Sequence, residues 1–531
     1  MSQTEPTHLD DGELIAAVDM GSNSFHMVVA RIEQGEPRVI DRLRDAVRLA
    51  AGLRPDGSLD SAHRARAMQC LARFGQRLAG LAPGRVRVVA TNTVRRLASP
   101  HHFLGAAEAA LGHPVEIVSG IEEGRLIFLG AAHDLPATSA PRLIIDIGGG
   151  STEFIIGQGL LPRFTESVQV GCIASTLRFF PQGKITRKRW QKAHSEIALT
   201  LQQFAQDYRQ SGWQEAYGSS GTAKAIAGVA KAMKLPGPGI TAAALAAIRD
   251  AIIAQGQNPL LKLPGLSEDR AAVFPGGVAI MEAAFAALGI QSMQLTDSSM
   301  REGLLWDLIG RVSGRDPRAA SIDALALRYS VDPQQAQRVE TVALTLFDQV
   351  ASAWQLPEVA REWLSWAARV HEIGLAIAHS QHHHHSGYII RHTDLAGFSR
   401  QEQQLLAAVV ENHRRKPDKS LYLALPLHQR QAARRITALL RLAVLLRRPP
   451  RAEPSPPLQL RSSPRPLLLQ LPPRSPRAPL LPAAVSSPDQ NLISLLRLPV
   501  PTRLPRTHTC SPCHVSTLPH AASFTCSCLS L

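Results

Sequence analysis

One sequence pattern occurs twice, and this repeat constrains the fold more than any other feature. Residues 143–156 read LIIDIGGGSTEFII: an apolar run ends in Asp146, glycines and small polar residues follow, and a second apolar run completes the stretch. Residues 15–30 read IAAVDMGSNSFHMVVA and place Asp19 at the equivalent position. Short apolar runs separated by a glycine turn predict hairpins of buried strands. Two copies predict two related half-domains that face each other across a cleft.

The small residues of both turns are candidate phosphate ligands. Glycine lets the backbone approach a ligand closely, and consecutive amide N–H groups can cradle phosphate oxygens. A single turn of this kind is also compatible with a plain hairpin, so the pair is the more specific signal. The predicted phosphate-binding residues are Ser22, Asn23 and Ser24 in the first turn and Gly148, Gly149, Gly150, Ser151 and Thr152 in the second.

The paired turns resemble those of the actin and sugar-kinase superfamily, in which two such turns grip phosphates from opposite sides. Further stretches read ATNTVRR (90–96), SGIEEGRLIFLG (119–130), GSSGTAKAI (218–226) and TDSSMREGL (296–304). In this order, and together with the two turns, they resemble the exopolyphosphatase and guanosine pentaphosphate phosphatase family, in particular its long bacterial exopolyphosphatases. The resemblance covers residues 12–446.

The alternation of strands and helices predicts an α/β fold. The resemblance implies two actin-like (ribonuclease H-like) half-domains around a cleft, followed by an all-α domain and a tail. The all-α domain resembles the metal-dependent HD phosphohydrolases. The predicted boundaries are 12–133 for the N-terminal half, 134–310 for the second half, 311–446 for the HD-like domain and 447–531 for the tail.

The helical domain departs from the HD pattern at its first motif. A working HD site begins with His-Asp, whereas this chain has His371-Glu372. We therefore do not expect a second hydrolytic site in this domain. The histidine run 382–385 is predicted to be a partly exposed loop at a helix end.

The charge of the chain is unevenly distributed. A net charge of +15 and a pI of about 10.1 predict a polyanionic partner. From Arg447 onward, ten Arg and two acidic residues give +8, so the remaining +7 belongs to residues 1–446. The proline- and arginine-rich composition predicts a disordered tail. A reading-frame change, a truncation and a genuine extension all stay open as its origin.

Cysteine usage and hydropathy indicate the cellular compartment of the protein. Only Cys70 and Cys172 lie within residues 1–446, which favours a reducing environment. The N-terminus lacks the apolar core of a signal peptide, and no run of about 18 apolar residues occurs. We expect a cytoplasmic protein without a transmembrane segment, and peripheral membrane association stays open. Nucleic acid is not expected as a partner, and a homodimer stays open because the tail is atypical.

The resemblance implies roles for several charged residues. Glu123 matches a glutamate proposed as general base in related phosphatases, and Arg95 matches an arginine that holds terminal phosphates. Asp146 and Glu153 match acidic residues associated with metal binding and activity. Asp19 is the counterpart of Asp146 in the first turn. The expected cofactor is therefore Mg²⁺ or a similar divalent cation.

These residues also have structural interpretations. Glu123 is compatible with a carboxylate that stabilises a helix N-terminus, and Asp146 with a turn cap. Asp297 matches only in part, because Ser298-Ser299 follow it where the family has Gly-Ala, and we expect the lost glycine to distort this loop. A third loop of small residues is expected to line the same cleft: Ser220, Gly221 and Thr222.

Together these residues fit phosphoryl transfer to water, which needs a divalent cation, donors for phosphate and a group that activates water. We expect an exopolyphosphatase that processively removes the terminal phosphate of inorganic polyphosphate. Hydrolysis of guanosine pentaphosphate would use the same residues and stays open. A polyphosphate-binding protein without catalysis is the alternative from a different class.

Overall fold

The computed structural model describes residues 9–256 and 261–447, together with three short strands in the tail. The chain divides into two compact units. The first unit contains the residues up to Arg318 and the segment Asp394–Arg400, and the second contains residues 319–393 and those from Gln401 onward. Each unit is described separately below.

A five-stranded sheet forms the N-terminal half of the first unit. Its strands are β1 (Leu14–Met20), β2 (Phe25–Glu33), β3 (Glu36–Asp45), β4 (Val86–Ala90) and β5 (Glu116–Ile117). The strand order is β3-β2-β1-β4-β5, and β1 pairs antiparallel with β2 and parallel with β4. The associated helices are α1 (Ser61–Leu78), α2 (Asn92–Arg95), α3 (Pro100–Leu111) and α4 (Gly120–Asp134).

A six-stranded sheet forms the second half. Its strands are β6 (Arg142–Ile147), β7 (Thr152–Gln158), β8 (Leu161–Val168), β9 (Glu215–Ser219), β10 (Ile240–Thr241) and β11 (Ser292–Leu295). The helices are α5 (Cys172–Phe179), α6 (Arg187–Ser211), α7 (Ser220–Ala232), α8 (Ala242–Gln255), α9 (Glu268–Ala271), α10 (Phe274–Leu288) and α11 (Met300–Val312).

The two sheets repeat one topology. The second sheet has the order β8-β7-β6-β9-β11-β10, so five of its strands follow the arrangement of the first sheet. The antiparallel pairs β1–β2 and β6–β7 are the two predicted hairpins, and Asp19 and Asp146 each lie one residue before the end of the first strand. The predicted fold class, two actin-like α/β halves followed by a helical region, is confirmed.

Helix α11 joins the two halves. It follows the second sheet in sequence but packs on the first half, where Leu304 and Leu305 share a buried core with Ile15 and Leu126. The helices α4 and α11 approach so closely that a Cβ atom at Gly303 would lie 1.8 Å from the carbonyl oxygen of Leu126. Only glycine fits this crossing, because real Cβ atoms do not tolerate such contacts.

A buried set of ion pairs, here called the arginine network, lies beside α4. The network consists of Arg87, Glu122, Arg125, Asp307 and Arg311. Arg125 donates from Nε and Nη2 to the two carboxylate oxygens of Glu122, at 2.7 and 2.8 Å. Both Arg87 and Arg125 also pair with Asp307. Arg87 pairs in addition with Glu116 at 3.1 Å, so the three arginines face three carboxylates and each buried charge has a partner.

The second unit is helical. Its elements, with α12 beginning in the first unit and α16 beginning at the boundary, are α12 (Pro317–Arg328), α13 (Pro333–Val350), α14 (Val359–Val370), α15 (His382–His392), α16 (Arg400–Glu411), α17 (Lys419–Leu423) and α18 (Leu427–Arg447). The prediction for the histidine run was wrong in part: His382 and His383 are buried, because the run forms the first turn of α15 and not a loop.

The tail contains three short strands, β12 (Gln459–Arg461), β13 (Leu468–Gln470) and β14 (Leu529–Ser530), which pair antiparallel. The rest of the predicted disordered tail lies outside the described residues. Within the described part of the chain, no helix combines the length and the apolar character that crossing a bilayer requires.

Candidate active site

A cavity of about 270 Å³ lies between the two sheets of the first unit. It is bounded by the carboxyl ends of β1 and β6 and by the turns that follow them, so the two repeated motifs meet at one place. The residues of the phosphate-binding prediction that line it are Ser22, Asn23, Ser24, Gly148, Gly149, Gly150, Ser151, Ser220 and Gly221.

The second turn needs glycines because neighbouring atoms lie very close to its backbone. A Cβ atom at Gly150 would lie 2.5 Å from Oδ1 of Asn92, and one at Gly149 would lie 3.2 Å from Cβ of Ser22. A Cβ atom at Gly171 would lie 2.4 Å from the carbonyl carbon of Gly149. Side chains here would force the two halves apart, so glycine keeps both turns at the same cavity.

Two of the hydroxyl groups predicted to bind phosphate donate hydrogen bonds to backbone carbonyl oxygens. Thr152 donates to the carbonyl oxygen of Val170 at 2.5 Å, and Thr222 donates to that of Ile147 at 2.9 Å. Neither residue lines the cavity, although both belong to the described chain. Their hydroxyls hold the two loops in shape, and their predicted role as phosphate ligands stays a prediction.

Four carboxylates line the cavity: the exposed Asp297 and the three buried ones, Asp19, Glu123 and Asp146. Burial and the nearby carboxylate of Glu123 raise the pKa of Asp19 to about 8. Burial also raises the pKa of Asp146, against hydrogen bonds from Ser220 and Ser219 that lower it. Oδ1 of Asp19 is buried without a hydrogen-bond partner. Burial thus makes the charged form of these carboxylates less favourable than it is in water.

Glu123 occupies the first turn of α4, where Ser119 caps the helix. Nη1 of Arg95 donates to its Oε2 at 3.1 Å and to the carbonyl oxygen of Val118 at 2.6 Å, while Nη2 of Arg95 is buried without a partner. Burial raises the pKa of Glu123 and outweighs the opposing charge of Arg95. A buried carboxylate with a raised pKa is a stronger base than an exposed one.

Glu153 and Arg95 stand behind the cavity wall, since neither is among its lining residues in the described chain. The hydroxyl of Ser167 donates to Oε1 of Glu153 at 2.8 Å. Burial and then the charges of Glu123 and Asp146 raise the pKa of Glu153 well above its usual value. Glu153 is therefore close enough to Glu123 and Asp146 for their charges to affect its ionisation.

The cavity is also lined by basic residues, to which the sequence analysis assigned no role. Arg44, Lys224, Arg270 and Arg301 line the cavity together with His26. Nη1 of Arg301 donates to Nδ1 of His26 at 2.7 Å, and burial with this arginine lowers the pKa of His26 to about 3. His26, Lys224 and Arg301 lie within the quoted motifs, where a search for basic residues would have found them, whereas Arg44 and Arg270 lie outside those motifs.

Backbone strain marks the third loop. Ser220 has φ of 64°, a left-handed conformation that non-glycine residues adopt only at a cost. It is the first residue of α7 and lies beside Asp146. Next to it, a Cβ atom at Gly221 would lie 1.8 Å from Nη2 of Arg270, so the guanidinium packs directly on the loop.

The predicted distortion near Asp297 does not occur. Ser298 stands where the family has the glycine and is not among the described non-glycine residues with positive φ, so no glycine conformation is needed there. The next residue, Ser299, caps α11 in a reciprocal pair with Glu302. The carboxylate of Asp134 accepts from the amides of Asp297 and Ser298 and holds the loop. The Asp297 side chain is 93% exposed and pairs with Lys224 at 2.9 Å.

The cavity residues fit a divalent cation. Among the described residues, no group of three or more His, Cys, Asp or Glu side chains is already arranged to hold a metal. Mg²⁺ does not require such a cage, since it is usually bound by one or two carboxylates, waters and substrate phosphates. The unpartnered Oδ1 of Asp19 and the neighbouring Asp146 offer hard oxygen donors of this kind.

The fold and the cavity define an actin-like protein whose two halves enclose a polar site. Comparison with known families agrees with the prediction. A model of the Ppx/GppA phosphatase family matches residues 28–312, more than half of the chain, and a model of Ppx/GppA phosphatase domain III matches residues 318–465. The chain belongs to the Ppx/GppA phosphatase family.

Solved structures share this fold at low sequence identity. A crystal structure of an exopolyphosphatase from Cytophaga hutchinsonii is 23% identical, with a TM-score of 0.50 over 56% of this chain and 98% of that chain. The Ppx/GppA family member from Aquifex aeolicus is 22% identical, with a TM-score of 0.48 over 57% of this chain and 98% of that chain. At this identity the likeness concerns the fold alone.

Proposed function

We propose that this phosphatase is a metal-dependent exopolyphosphatase, which processively hydrolyses the terminal phosphate of inorganic polyphosphate. The composition of the cavity carries the proposal. Acidic and basic side chains line the same cavity, together with the small residues of the two repeated turns. The basic side chains suit a polyanion, and the acidic side chains suit a cation with a nucleophilic water.

The lining also favours a phosphate chain over a nucleotide. None of the cavity residues in the described chain is Phe, Tyr or Trp, and the apolar contribution comes from Ile127, Ile147, Cys172 and Met300. A guanine base is usually held by an aromatic or broad apolar surface with a few polar groups. Phosphate oxygens need only charges and donors, which the basic lining residues provide.

In the proposed reaction, Glu123 accepts a proton from a water molecule as that water attacks the terminal phosphorus. The bond to the bridging oxygen breaks, and the shortened chain leaves with its negative charge. Arg95 keeps the Glu123 carboxylate in place, while Arg301 and Arg270 hold phosphate oxygens. Asp19 and Asp146 would hold Mg²⁺, which neutralises phosphate charge and polarises the phosphoryl group when bound.

The test is a side-by-side assay of phosphate release by the full chain with Mg²⁺. Long-chain polyphosphate and guanosine pentaphosphate are supplied at matched concentrations, and kcat/KM is measured for each. We expect kcat/KM to be at least about tenfold higher for polyphosphate than for guanosine pentaphosphate, because the described lining residues include no aromatic side chain on which guanine could stack. A preference for the nucleotide would overturn the substrate assignment. Binding of polyphosphate without phosphate release would instead indicate a protein that has lost catalysis.

A further inference from the structure

A second cavity lies in the first unit, apart from the candidate active site. It has a volume of about 610 Å³ and is lined by residues of α5 and α6, by the loop after β8 and by Arg96. We call it the α5–α6 cavity. In the described chain it shares no lining residue with the cavity of the active site. Its volume lies in the range of about 300–1,000 Å³ that is usual for small-molecule sites.

The charges of its lining add up to one positive charge. Arg96, Arg178 and Glu196 are the charged residues among those that line it. Nη2 of Arg178 donates to the carboxylate of Glu196, and its guanidinium lies 5.0 Å from the centre of the Phe179 ring. Glu196 has Lys192 as a more distant partner at 3.8 Å. The charge of Arg178 is therefore already compensated.

Arg96 differs from Arg178 because its charge is not compensated. Within the part of the chain that the structure describes, its guanidinium makes no hydrogen bond and no ion pair. Its backbone N–H donates to the carbonyl oxygen of Asn92 at 3.2 Å, and Nδ2 of Asn92 donates to Oε1 of Gln169 at 2.6 Å. Arg96 and Gln169 thus adjoin the same residue. A guanidinium beside an amide N–H group suits a carboxylate.

The uncharged part of the lining is mainly apolar. Leu199 is 62% exposed, so an apolar ligand that covers this side chain removes its surface from water. The hydroxyl of Thr200 donates to the carbonyl oxygen of Glu196 at 3.2 Å. The aliphatic lining residues are Val170, Ala174, Ile197 and Leu199. This surface suits the apolar body of a ligand.

The balance of charge selects among anions. A nucleoside triphosphate or a polyphosphate chain carries several negative charges. One of them can pair with Arg96, but the others would face Glu196 and aliphatic side chains, which is costly. A monocarboxylate brings one negative charge and an apolar body, which matches both parts of the lining.

Helix α5 lines both cavities. Its first residue, Cys172, lines the cavity of the active site, whereas Ala174 lines the α5–α6 cavity. The amide of Cys172 donates to the carbonyl oxygen of Gly148 at 2.9 Å, and that of Ile173 donates to Gly149 at 3.1 Å. The position of α5 therefore affects the position of the glycine-rich second turn.

We propose that the α5–α6 cavity is an effector site for a small apolar monocarboxylate. The carboxylate pairs with Arg96 and accepts from Gln169, and the apolar body lies against Ile197 and Leu199. A ligand that favours one position of α5 thereby acts on the second turn. The binding part of this inference is independent of the proposed function, whereas the effect on turnover rests on it.

The first test is calorimetric titration of the full chain with octanoate at neutral pH. We expect one site per chain with a Kd below about 1 mM, which is reasonable for a ligand of about ten non-hydrogen atoms. Octan-1-ol lacks the charge and octanedioate has a second carboxylate, so each should bind at least about tenfold more weakly. No binding of octanoate, or equal binding of either control compound, would overturn the proposal.

Two substitutions of exposed side chains locate the site. Arg96→Gln should weaken octanoate binding by at least about tenfold, because it removes the charged donor. Leu199→Ser should weaken it by about threefold or more, because it removes apolar contact. Arg64→Gln is the matched control, since Arg64 is an exposed arginine of α1 outside the cavity, and its Kd should stay within about twofold of wild type. Equal weakening in the Arg96 and Arg64 variants would indicate general charge attraction and refute the site.

Turnover tests the effector role. Saturating octanoate should change KM for polyphosphate by at least about fivefold in the wild type and leave it unchanged in Arg96→Gln. Binding of octanoate with an unchanged KM would refute the effector role. A chain that releases no phosphate refutes the proposed function instead. The Kd of octanoate with and without inorganic triphosphate and Mg²⁺ then decides, and an equal Kd in both conditions would refute the coupling.

Discussion

Glu122 and Glu123 are neighbours in α4, but they belong to two differently balanced clusters of charge. Glu122 lies in the arginine network, where Arg125 engages both of its carboxylate oxygens and the amide of Gly397 donates to Oε2 at 2.8 Å. Glu123 has one arginine and faces other carboxylates across the cavity. Saturated pairing holds the fold together, whereas incomplete pairing leaves groups available to a cation, a water and a phosphate.

The largest expected effect is on activity, from the incompletely paired cluster. In Glu123→Gln the side chain keeps its shape but loses the basic oxygen, so kcat for phosphate release should fall by about 10²–10⁴-fold. The free energy of unfolding should stay unchanged or rise, since a buried carboxylate is removed from an acidic cluster. Steady-state kinetics and urea unfolding measure the two quantities. Wild-type turnover in this variant would refute the catalytic assignment.

The arginine network should show the reverse pattern. Asp307→Asn leaves the buried guanidinium groups of Arg87 and Arg125 without their shared counter-charge. The expected loss in unfolding free energy is about 3–5 kcal/mol, the usual cost of breaking a buried pair. Urea unfolding at neutral pH measures it. An Asp307→Asn variant with an unchanged unfolding free energy but a reduced kcat would show that the arginine network serves catalysis and not stability.

The pH dependence of the unfolding free energy lost in Asp307→Asn tests the role of the arginine network further. Burial alone would raise the pKa of Asp307, but Arg125, Arg87 and Arg311 outweigh it and hold the pKa well below its usual value. The stabilisation is therefore complete above the unfolded-state pKa of about 3.9 and declines as the pH falls below it. The difference in unfolding free energy between wild type and Asp307→Asn should be constant from pH 5 to 7 and shrink below about pH 4. A difference that grows in acid would contradict this.

The smallest effect is expected from Asp297, a cavity-lining residue whose side chain is exposed to solvent. Asp297 is 93% exposed and pairs only with Lys224 in the salt bridges of the described chain. Asp297→Asn should change the unfolding free energy by no more than about 0.5 kcal/mol and kcat by less than about twofold. The same assays serve as the control for both interior variants. A large kinetic effect would show that this aspartate contributes to the site after all.

The sequence predicted the local parts of the site well. Apolar runs around Asp19 and Asp146 sufficed for the hairpins, because strand period and turn glycines are local signals. The choice of Glu123 over Glu122 rested on the family resemblance alone. Its physical reason is that adjacent helical residues point in directions about 100° apart, so only one of the two can face the cavity.

Long-range features could not be predicted in the same way. Arg301 meets His26 across 275 residues, and Asp307 meets Arg87 across 220, so no sequence window contains either pair. The histidine run failed for a related reason. Its polar composition indicated an exposed loop, but the first turn of α15 lies under neighbouring helices, and burial is a property of packing and not of composition.

The repeated strand order has a consequence for how such a site can change over time. Two identical subunits related by a two-fold axis must carry every residue in both copies, so a substitution in one copy is forced on the other. Here both copies lie in one chain, so the residues around Asp19 and those around Asp146 can differ. The turn after Asp146 is glycine-rich, whereas Asp19 pairs across its hairpin with His26 of β2, an asymmetry that a symmetric pair of subunits could not reach.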